Sequence, residues 1–295
     1  MIRYRLFPLF GLLALLPACS GADVVNALVP SGGYRVIADR AYGPDPRQRL
    51  DLYVPDGAGD GTPLLVFFYG GGWESGARED YLFVGQAFAS RGYIVAIPDY
   101  RLYPQIRYPV FIEDAAAAFA WLRREADAAT GVGAGPVYLA GHSAGAYIAA
   151  MLALDRRWLA AEGFAACDSI SAVAGLAGPY DFLPLTGRTL KAIFGDPAPP
   201  ATQPVNRVDG RAPPLLLIAG TDDTTVLPRN TLALAAAIRA AGGAAQDIVY
   251  PDIGHVALAA SLASPLRSLA PTLDDVDGFL RRHPKPTGCL AGAPG

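Results

Sequence analysis

The sequence predicts an α/β fold in which a mostly parallel sheet of eight strands is flanked by helices. Short apolar, β-rich runs alternate with Ala-rich segments of helical character. From Leu64 onward these runs are continuously apolar, as in parallel strands that are covered on both faces. The earlier runs are joined by turns, so a mixed sheet is expected rather than a purely parallel one.

The elements follow from these runs in chain order. The strands are predicted at Tyr34–Ala38, Leu50–Val54, Leu64–Tyr69, Ile94–Pro98, Val137–Ala140, Ala172–Gly175, Leu215–Ala219 and Gln246–Tyr250. The helices are predicted at Tyr81–Arg91, Val110–Ala128, Ala144–Leu154, Pro228–Ala241 and Leu273–His283. No repeat or long linker divides the chain, so residues 34–284 are expected to form one domain, followed by a tail over 285–295. The segment Gly178–Gly210, rich in Pro and Gly, is expected to form part of a lid or pocket wall.

The composition excludes several classes of protein. Of the 295 residues, 52% are hydrophobic and 17% charged, which indicates a large core and argues against bulk disorder. The formal net charge is −3, and acidic and basic residues are interspersed without a basic stripe. We therefore expect no nucleic-acid partner.

The first 22 residues have the order of an export signal. Arg3 and Arg5 precede an apolar run over 6–16, which is too short for the ~20 residues of a transmembrane helix. The following Pro17-Ala18-Cys19-Ser20 resembles a bacterial lipobox, which predicts a lipoprotein anchored to the bacterial envelope through lipidated Cys19. The alternative is ordinary secretion into the periplasm or medium after cleavage behind Ala22.

Export also affects how the cysteines are interpreted. Without Cys19, two cysteines remain, Cys167 and Cys289, in an oxidising compartment. The sequence leaves open whether they form a disulfide or remain separate thiols.

The pentapeptide Gly141-His142-Ser143-Ala144-Gly145 directly follows a predicted strand and begins a predicted helix. This Gly-x-Ser-x-Gly order is typical of the nucleophile elbow, a tight turn that exposes a serine hydroxyl. Small neighbours relieve the crowding in such a turn, and the helix N-terminus favours developing negative charge. Ser143 is therefore the candidate nucleophile.

A serine nucleophile needs a base, and the chain has three histidines. His142 adjoins Ser143 and cannot fold back onto its hydroxyl. His283 lies near the end of the last predicted helix and suits a solvated cap. His255 lies on a loop after the strand 246–250, so elimination and placement both favour it as the base.

Two further groups complete the candidate site. An acid between serine and histidine is expected along the chain, and Asp222 and Asp223 follow the strand 215–219. One of the two is expected to orient the histidine and the other to cap the loop. The run Gly70-Gly71-Gly72 follows the strand 64–69, where glycines let backbone N–H groups approach a reacting carbonyl.

From about Leu50 to the C-terminus the chain resembles the carboxylesterases of the hormone-sensitive-lipase and feruloyl-esterase-like group, which is close to the kynurenine formamidases. The motifs that carry the resemblance are Tyr69-Gly-Gly-Gly-Trp73, Asp99-Tyr-Arg-Leu-Tyr-Pro104, Gly141-His-Ser-Ala-Gly145, Gly178-Pro-Tyr-Asp181, the Asp222-Asp223 loop and Gly254-His255. The family usually has His where Tyr69 stands, a residue expected to hold the glycine loop by bonding to nearby backbone.

The resemblance implies an α/β-hydrolase fold and assigns several residues. It implies an oxyanion hole formed by Gly70, Gly71 and the N–H of Ala144. It favours Asp223 as the acid, because Gly220, Asp223 and Val226 then match the pattern Gly-x-x-Asp-x-x-Val, and it leaves Asp222 to satisfy loop N–H groups. Asp99 and Arg101 are implied to brace loops near the site.

The function expected from these residues is hydrolysis of a small carboxylic ester through an acyl-enzyme, catalysed by Ser143, His255 and Asp223 without a cofactor or metal. Two alternatives stay open at this point. The first is cleavage of an amide, as by an arylformamidase. The second is a catalytically silent binding lipoprotein built on a hydrolase scaffold.

Overall fold

The computed structural model describes residues 21–288, in which eight strands form one sheet in the order β1-β2-β4-β3-β5-β6-β7-β8. The strands are β1 (Tyr34–Ala41), β2 (Arg49–Pro55), β3 (Thr62–Phe68), β4 (Ile94–Pro98), β5 (Ala134–His142), β6 (Ala172–Leu176), β7 (Leu215–Gly220) and β8 (Ala245–Tyr250). Strand β2 runs antiparallel to β1 and β4, and all other neighbours are parallel. This confirms the predicted mostly parallel sheet of eight strands.

The helices within this range are α1 (Gly21–Ala27), α2 (Leu82–Ala89), α3 (Val110–Thr130), α4 (Ala144–Leu154), α5 (Arg157–Ala161), α6 (Ala166–Ser169), α7 (Arg188–Phe194), α8 (Arg229–Ala240), α9 (His255–Ala260) and α10 (Thr272–Arg281). The five predicted helices correspond to α2, α3, α4, α8 and α10. The other five have at most seven residues, too few for an apolar periodicity to be recognised. No described helix has the length and apolarity needed to cross a membrane.

The core explains why the central strands are apolar throughout. Every residue of β4, β6 and β7 is buried, so both faces of the sheet are covered at these positions. Helix α4 is buried along all eleven residues, as expected of a helix that is apolar on every side. Because α4 packs against β3, β5 and β6, it fixes the elbow at its own N-terminus in the middle of the sheet.

The surroundings of Cys167 bear on whether it forms a disulfide with Cys289. Cys167 is buried in α6 and is disulfide-bonded. The N–H of Gly288 donates to the carbonyl of Cys167 at 3.0 Å, so the residue before Cys289 lies against it. Cys289 itself and residues 1–20, including Cys19, lie outside the described residues.

Candidate active site

Three strand ends bring the candidate residues together. Ser143 follows β5, Asp223 lies three residues after β7, and His255 begins α9 after β8. These strands are parallel, so their carboxyl ends share one edge of the sheet. That edge is where open α/β sheets bind their ligands.

Ser143 has the strained backbone that the elbow predicts. Its φ of 55° and ψ of −122° are unusual for a residue with a side chain. The turn is tight enough that a Cβ added to Gly145 would lie 1.9 Å from the carbonyl oxygen of Phe68. The N–H of Ser143 donates to the carbonyl of Leu176 at 2.8 Å, which fixes the turn to β6.

The three candidate side chains form one chain of hydrogen bonds. His255 Nδ1 lies 2.7 Å from Asp223 Oδ2, and His255 Nε2 lies 2.9 Å from Ser143 Oγ. Because an ionised carboxylate only accepts, the imidazole carries its proton on Nδ1 and leaves Nε2 free to accept from the serine hydroxyl. This is the tautomer that a general base needs.

Asp223 has a second set of contacts, which the sequence predicted for its neighbour Asp222. Its Oδ1 accepts from the N–H groups of Thr225 and Val226 at 2.9 and 2.8 Å. Asp222 is exposed, and its carboxylate accepts from the Thr221 hydroxyl. The expectation that Asp222 satisfies the loop N–H groups is therefore wrong. The buried Asp223 must have both oxygens satisfied, whereas the carboxylate of Asp222 is hydrated.

His142 bonds to the backbone of His255, the candidate base, which is a role that the sequence did not suggest. Its Nε2–H donates to the backbone carbonyl of His255 at 3.1 Å, and the two ring centroids lie 4.7 Å apart. Burial, followed by the nearby His255, lowers the pKa of His142 to about 3. His142 is therefore neutral, and its side chain connects the elbow to the loop that carries His255.

The glycine loop after β3 passes close to the elbow. A Cβ added to Gly70 would lie 3.1 Å from Ser143 Cβ. Within residues 21–288, the N–H groups of Gly71, Gly72 and Ala144 have no acceptor. Burial raises the pKa of Tyr81, and the neighbouring backbone of Gly70 lowers it. The free donors beside Ser143 thus include Gly72, which the resemblance had not assigned, and the role of Gly70 stays a prediction.

Tyr69 does brace the glycine loop, but through side chains rather than backbone. Its hydroxyl donates to Asp99 Oδ1 and accepts from Arg47 Nη2, both at 2.8 Å. Arg47 also donates to the carbonyls of Gly76 and Tyr100. The expected backbone partner of Tyr69 is therefore wrong, because the buried Asp99 and the half-buried Arg47 already bond to the hydroxyl.

The other implied braces are present. Asp99 also accepts from the N–H of Arg78 at 2.8 Å and pairs with its guanidinium. The guanidinium of Arg101 donates several hydrogen bonds to the carboxylate of Asp114. The sequence did not predict the role of Arg47, since no local motif marks an arginine 22 residues before its partner Tyr69.

A cavity of about 370 Å³ opens beside Ser143. Its lining includes the apolar residues Trp73, Phe182, Pro184, Leu190 and Leu227 and the polar residues Thr224, Thr225 and Arg229. Several of these residues belong to the segment Gly178–Gly210, which confirms that it forms a pocket wall. Asn230 Oδ1 fixes that segment by accepting from the N–H groups of Tyr180 and Asp181 at 3.0 and 2.8 Å.

Comparison with curated proteins finds esterases. The chain is 30% identical over 280 residues to esterase LipQ of Mycobacterium tuberculosis, which covers 86% of this chain and 65% of that protein. It is 30% identical over 249 residues to the isoprenylcysteine alpha-carbonyl methylesterase ICME of Arabidopsis thaliana, covering 77% of this chain and 57% of that protein. The chain thus spans less than two thirds of the length of these relatives.

Comparison with solved structures gives the same fold. A truncated carbohydrate esterase from gut microbiota superposes with a TM-score of 0.74 at 18% identity, covering 86% of this chain and 98% of the other. The carboxylesterase EstE1 from a metagenomic library superposes with a TM-score of 0.71 at 19% identity, covering 90% of this chain and 94% of the other. At these identities the likeness establishes the α/β-hydrolase fold.

A family model defines the relationship more closely. The model named BD-FAE matches residues 50–238, which contain the glycine loop, the elbow and the Asp223 loop. These residues make up more than half of the sequence, and the chain therefore belongs to the BD-FAE family.

Proposed function

We propose that the protein is a serine carboxylesterase that hydrolyses small carboxylic esters through an acyl-enzyme. The observation that carries this proposal is the hydrogen-bond chain from Ser143 through His255 to Asp223, with distances of 2.9 and 2.7 Å. The esterase names of the relatives support it. An intact chain of this kind argues against a catalytically silent binding protein.

The geometry assigns a role to each group in acylation. His255 Nε2 takes the proton of the Ser143 hydroxyl as Oγ attacks the ester carbonyl, and the resulting imidazolium is stabilised by Asp223. His255 then gives the proton to the departing alcohol. In deacylation the same imidazole takes a proton from a water that attacks the acyl-enzyme. It returns this proton to Ser143 Oγ as the bond between Oγ and the acyl carbon breaks and the carboxylic acid leaves.

The negative charge that develops on the carbonyl oxygen needs donors that are already in place. We assign this role to the N–H groups of Gly71, Gly72 and Ala144, which have no acceptor within residues 21–288. Ala144 is the first residue of α4, so the helix dipole adds to the effect. Loss of one such donor lowers kcat by about 10²–10³ in serine proteases.

The experiment compares wild type with Ser143→Ala on short para-nitrophenyl esters and with a fluorophosphonate probe. Wild type is expected to hydrolyse the esters and to be labelled once per chain. Ser143→Ala is expected to fold normally and to do neither. Labelling that persists in Ser143→Ala would show that another residue is the nucleophile. N-formylkynurenine, assayed beside the esters, tests the formamidase alternative, which requires faster turnover of the amide.

We also propose that the protein is exported and held in the membrane through lipidated Cys19. The order of Arg3, the apolar run 6–16 and Ala18-Cys19 supports this proposal. Cys19→Ser is expected to move the full chain, expressed in a bacterium, from the membrane to the soluble fraction. A wild type that is already soluble would support simple secretion instead.

A further inference from the structure

The lining of the cavity beside Ser143 includes a charge that the esterase mechanism does not use. Arg229 is the single charged residue among those that line this cavity, and no Asp or Glu accompanies it there. Arg229 is exposed, and within residues 21–288 its side chain forms neither a hydrogen bond nor an ion pair. Other arginines around the site, such as Arg47, Arg78 and Arg101, are all paired with carboxylates.

The surroundings of Arg229 favour an anion rather than a neutral group. Arg229 is the first residue of α8, whose N-cap Pro228 supplies no side-chain acceptor to the first turn. The positive end of a twelve-residue helix therefore adds to the guanidinium charge. Thr224 and Thr225 line the same cavity, and their hydroxyls are donors without a protein partner in the described chain. The nearby acids Asp181 and Asp222 lie outside the cavity lining.

The apolar lining residues indicate what the rest of the ligand is. Trp73, Phe182, Pro184 and Leu190 present apolar surface, which accommodates hydrocarbon and excludes a second charge. Trp73 and Phe182 are stacked with centroids 6.2 Å apart. The cavity therefore combines apolar surface with a single cationic side chain.

From these features we infer that the cavity selects esters that carry a carboxylate group, with Arg229 as the residue that binds it. A short hydrocarbon spacer would lie along Trp73 and Phe182, while the carboxylate meets the guanidinium and the threonine hydroxyls. Arginine suits this task because its planar donors match the two carboxylate oxygens. The inference rests on the proposed esterase function and names its substrate class.

Two matched substrate pairs test the inference. The first pair, para-nitrophenyl hydrogen glutarate and para-nitrophenyl pentanoate, places the charge or its absence on the acyl side. The second pair, para-acetoxybenzoate and its methyl ester, places it on the alcohol side. For each pair, kcat/KM is measured with wild type, Arg229→Met and Arg188→Met. Arg188 is a matched control, since it is also an exposed arginine at the start of a helix but does not line the cavity.

The expected result is that wild type prefers the anionic member of at least one pair, and the pair concerned identifies the side of the ester that faces Arg229. Arg229→Met is expected to lower kcat/KM for that anionic ester about tenfold, the value of a partly solvated charge-assisted hydrogen bond. The ratio of kcat/KM for the anionic ester to kcat/KM for its neutral partner should therefore fall in Arg229→Met, and Arg188→Met should retain the wild-type ratio. The preference of wild type should also shrink as the salt concentration rises.

Two outcomes would overturn the inference in distinguishable ways. If wild type hydrolyses the neutral esters but prefers neither anionic ester, or if Arg229→Met keeps the preference, the assignment of Arg229 is wrong and the esterase proposal stands. If no ester of either pair is hydrolysed, the esterase proposal fails, and the inference fails with it.

Discussion

Arg47 donates to the hydroxyl of Tyr69 at 2.8 Å, and the same nitrogen donates to the carbonyl of Gly76 at 2.9 Å. Tyr69 precedes the glycine loop and Gly76 ends it, so one guanidinium connects both ends of the loop that carries the proposed oxyanion donors. Arg47 itself comes from the connection between β1 and β2. We therefore treat it as a positioning residue for the oxyanion hole.

Arg47→Met is expected to lower kcat about tenfold or more and to change KM little, because the loop donors act on the transition state. Affinity for a boronic-acid transition-state analogue should fall in parallel with kcat/KM. Arg49→Met is the control, since Arg49 pairs with Asp39 at the surface. A rise in KM at constant kcat would mean that Arg47 shapes the substrate pocket instead.

The tyrosine at position 69 gives a second test of the same brace. Burial raises the pKa of Tyr69, so its hydroxyl remains a donor to Asp99 at every pH of interest. Tyr69→His, which introduces the residue that the resemblance implies at this position, is expected to retain activity. Tyr69→Phe should cost about 1–3 kcal/mol of stability, because Asp99 and Arg47 lose a buried partner. A fall in kcat as deep as that of Ser143→Ala would show that Tyr69 takes part in the chemistry directly.

His142 makes stability depend on pH in a defined direction. Its pKa falls from 6.5 to about 3 on folding, so below pH 6.5 the unfolded chain binds a proton that the folded chain does not. The stability that the neutral ring contributes is present above pH 6.5 and is lost as the pH falls toward 3. Between pH 8 and pH 5 the loss is about 2 kcal/mol.

His142→Gln removes this titration and retains an N–H donor for the carbonyl of His255. Urea unfolding of wild type and His142→Gln at pH 8 and pH 5 measures the difference. The gap in unfolding free energy between the two pH values should be about 2 kcal/mol smaller in the variant. An equal gap in both proteins would show that His142 is protonated in the folded state.

The elements predicted most accurately from the sequence are those that depend on residues close together along the chain. An apolar run as short as Leu215–Ala219 favours a buried strand over a helix. The tight turn at Ser143 requires the room that Gly141 and Gly145 leave. The placement of His255 and Asp223 after strands also follows from local order. Their catalytic roles remain predictions, which the structure supports by bringing the side chains into contact.

The features that the sequence did not predict depend on contacts distant along the chain. Arg47 reaches Tyr69 and Gly76 only because β1 and β2 fold beside the glycine loop. The choice between Gly70 and Gly72 as a donor depends on backbone directions set at Gly71, whose φ is 127°, and no composition rule gives these directions. Helices as short as α7 and α9 have no periodic pattern and form because tertiary contacts hold them.

The neighbouring aspartates provide the sharpest test of the site. Asp223 is 1% exposed, and its two oxygens serve different partners: Oδ2 the imidazole of His255, and Oδ1 the loop N–H groups. Asp222 is exposed, and within the described chain its carboxylate bonds only to the Thr221 hydroxyl. Asp223→Asn is expected to lower kcat by on the order of 10²–10⁴, because an amide no longer fixes the base tautomer of His255.

Asp222→Asn is the matched control, since it makes the same chemical change one residue earlier at a hydrated site. It should leave kcat within about twofold of wild type and stability within about 0.5 kcal/mol. The kcat of each variant on one short ester, with thermal unfolding measured in parallel, separates catalysis from loop stability. If Asp222→Asn is instead the variant with the strongly lowered kcat, the contact at 2.7 Å between Asp223 and His255 is not the one that catalysis uses. The acid would then have to be reassigned to Asp222, and the loop would have to turn by one residue for its carboxylate to reach Nδ1.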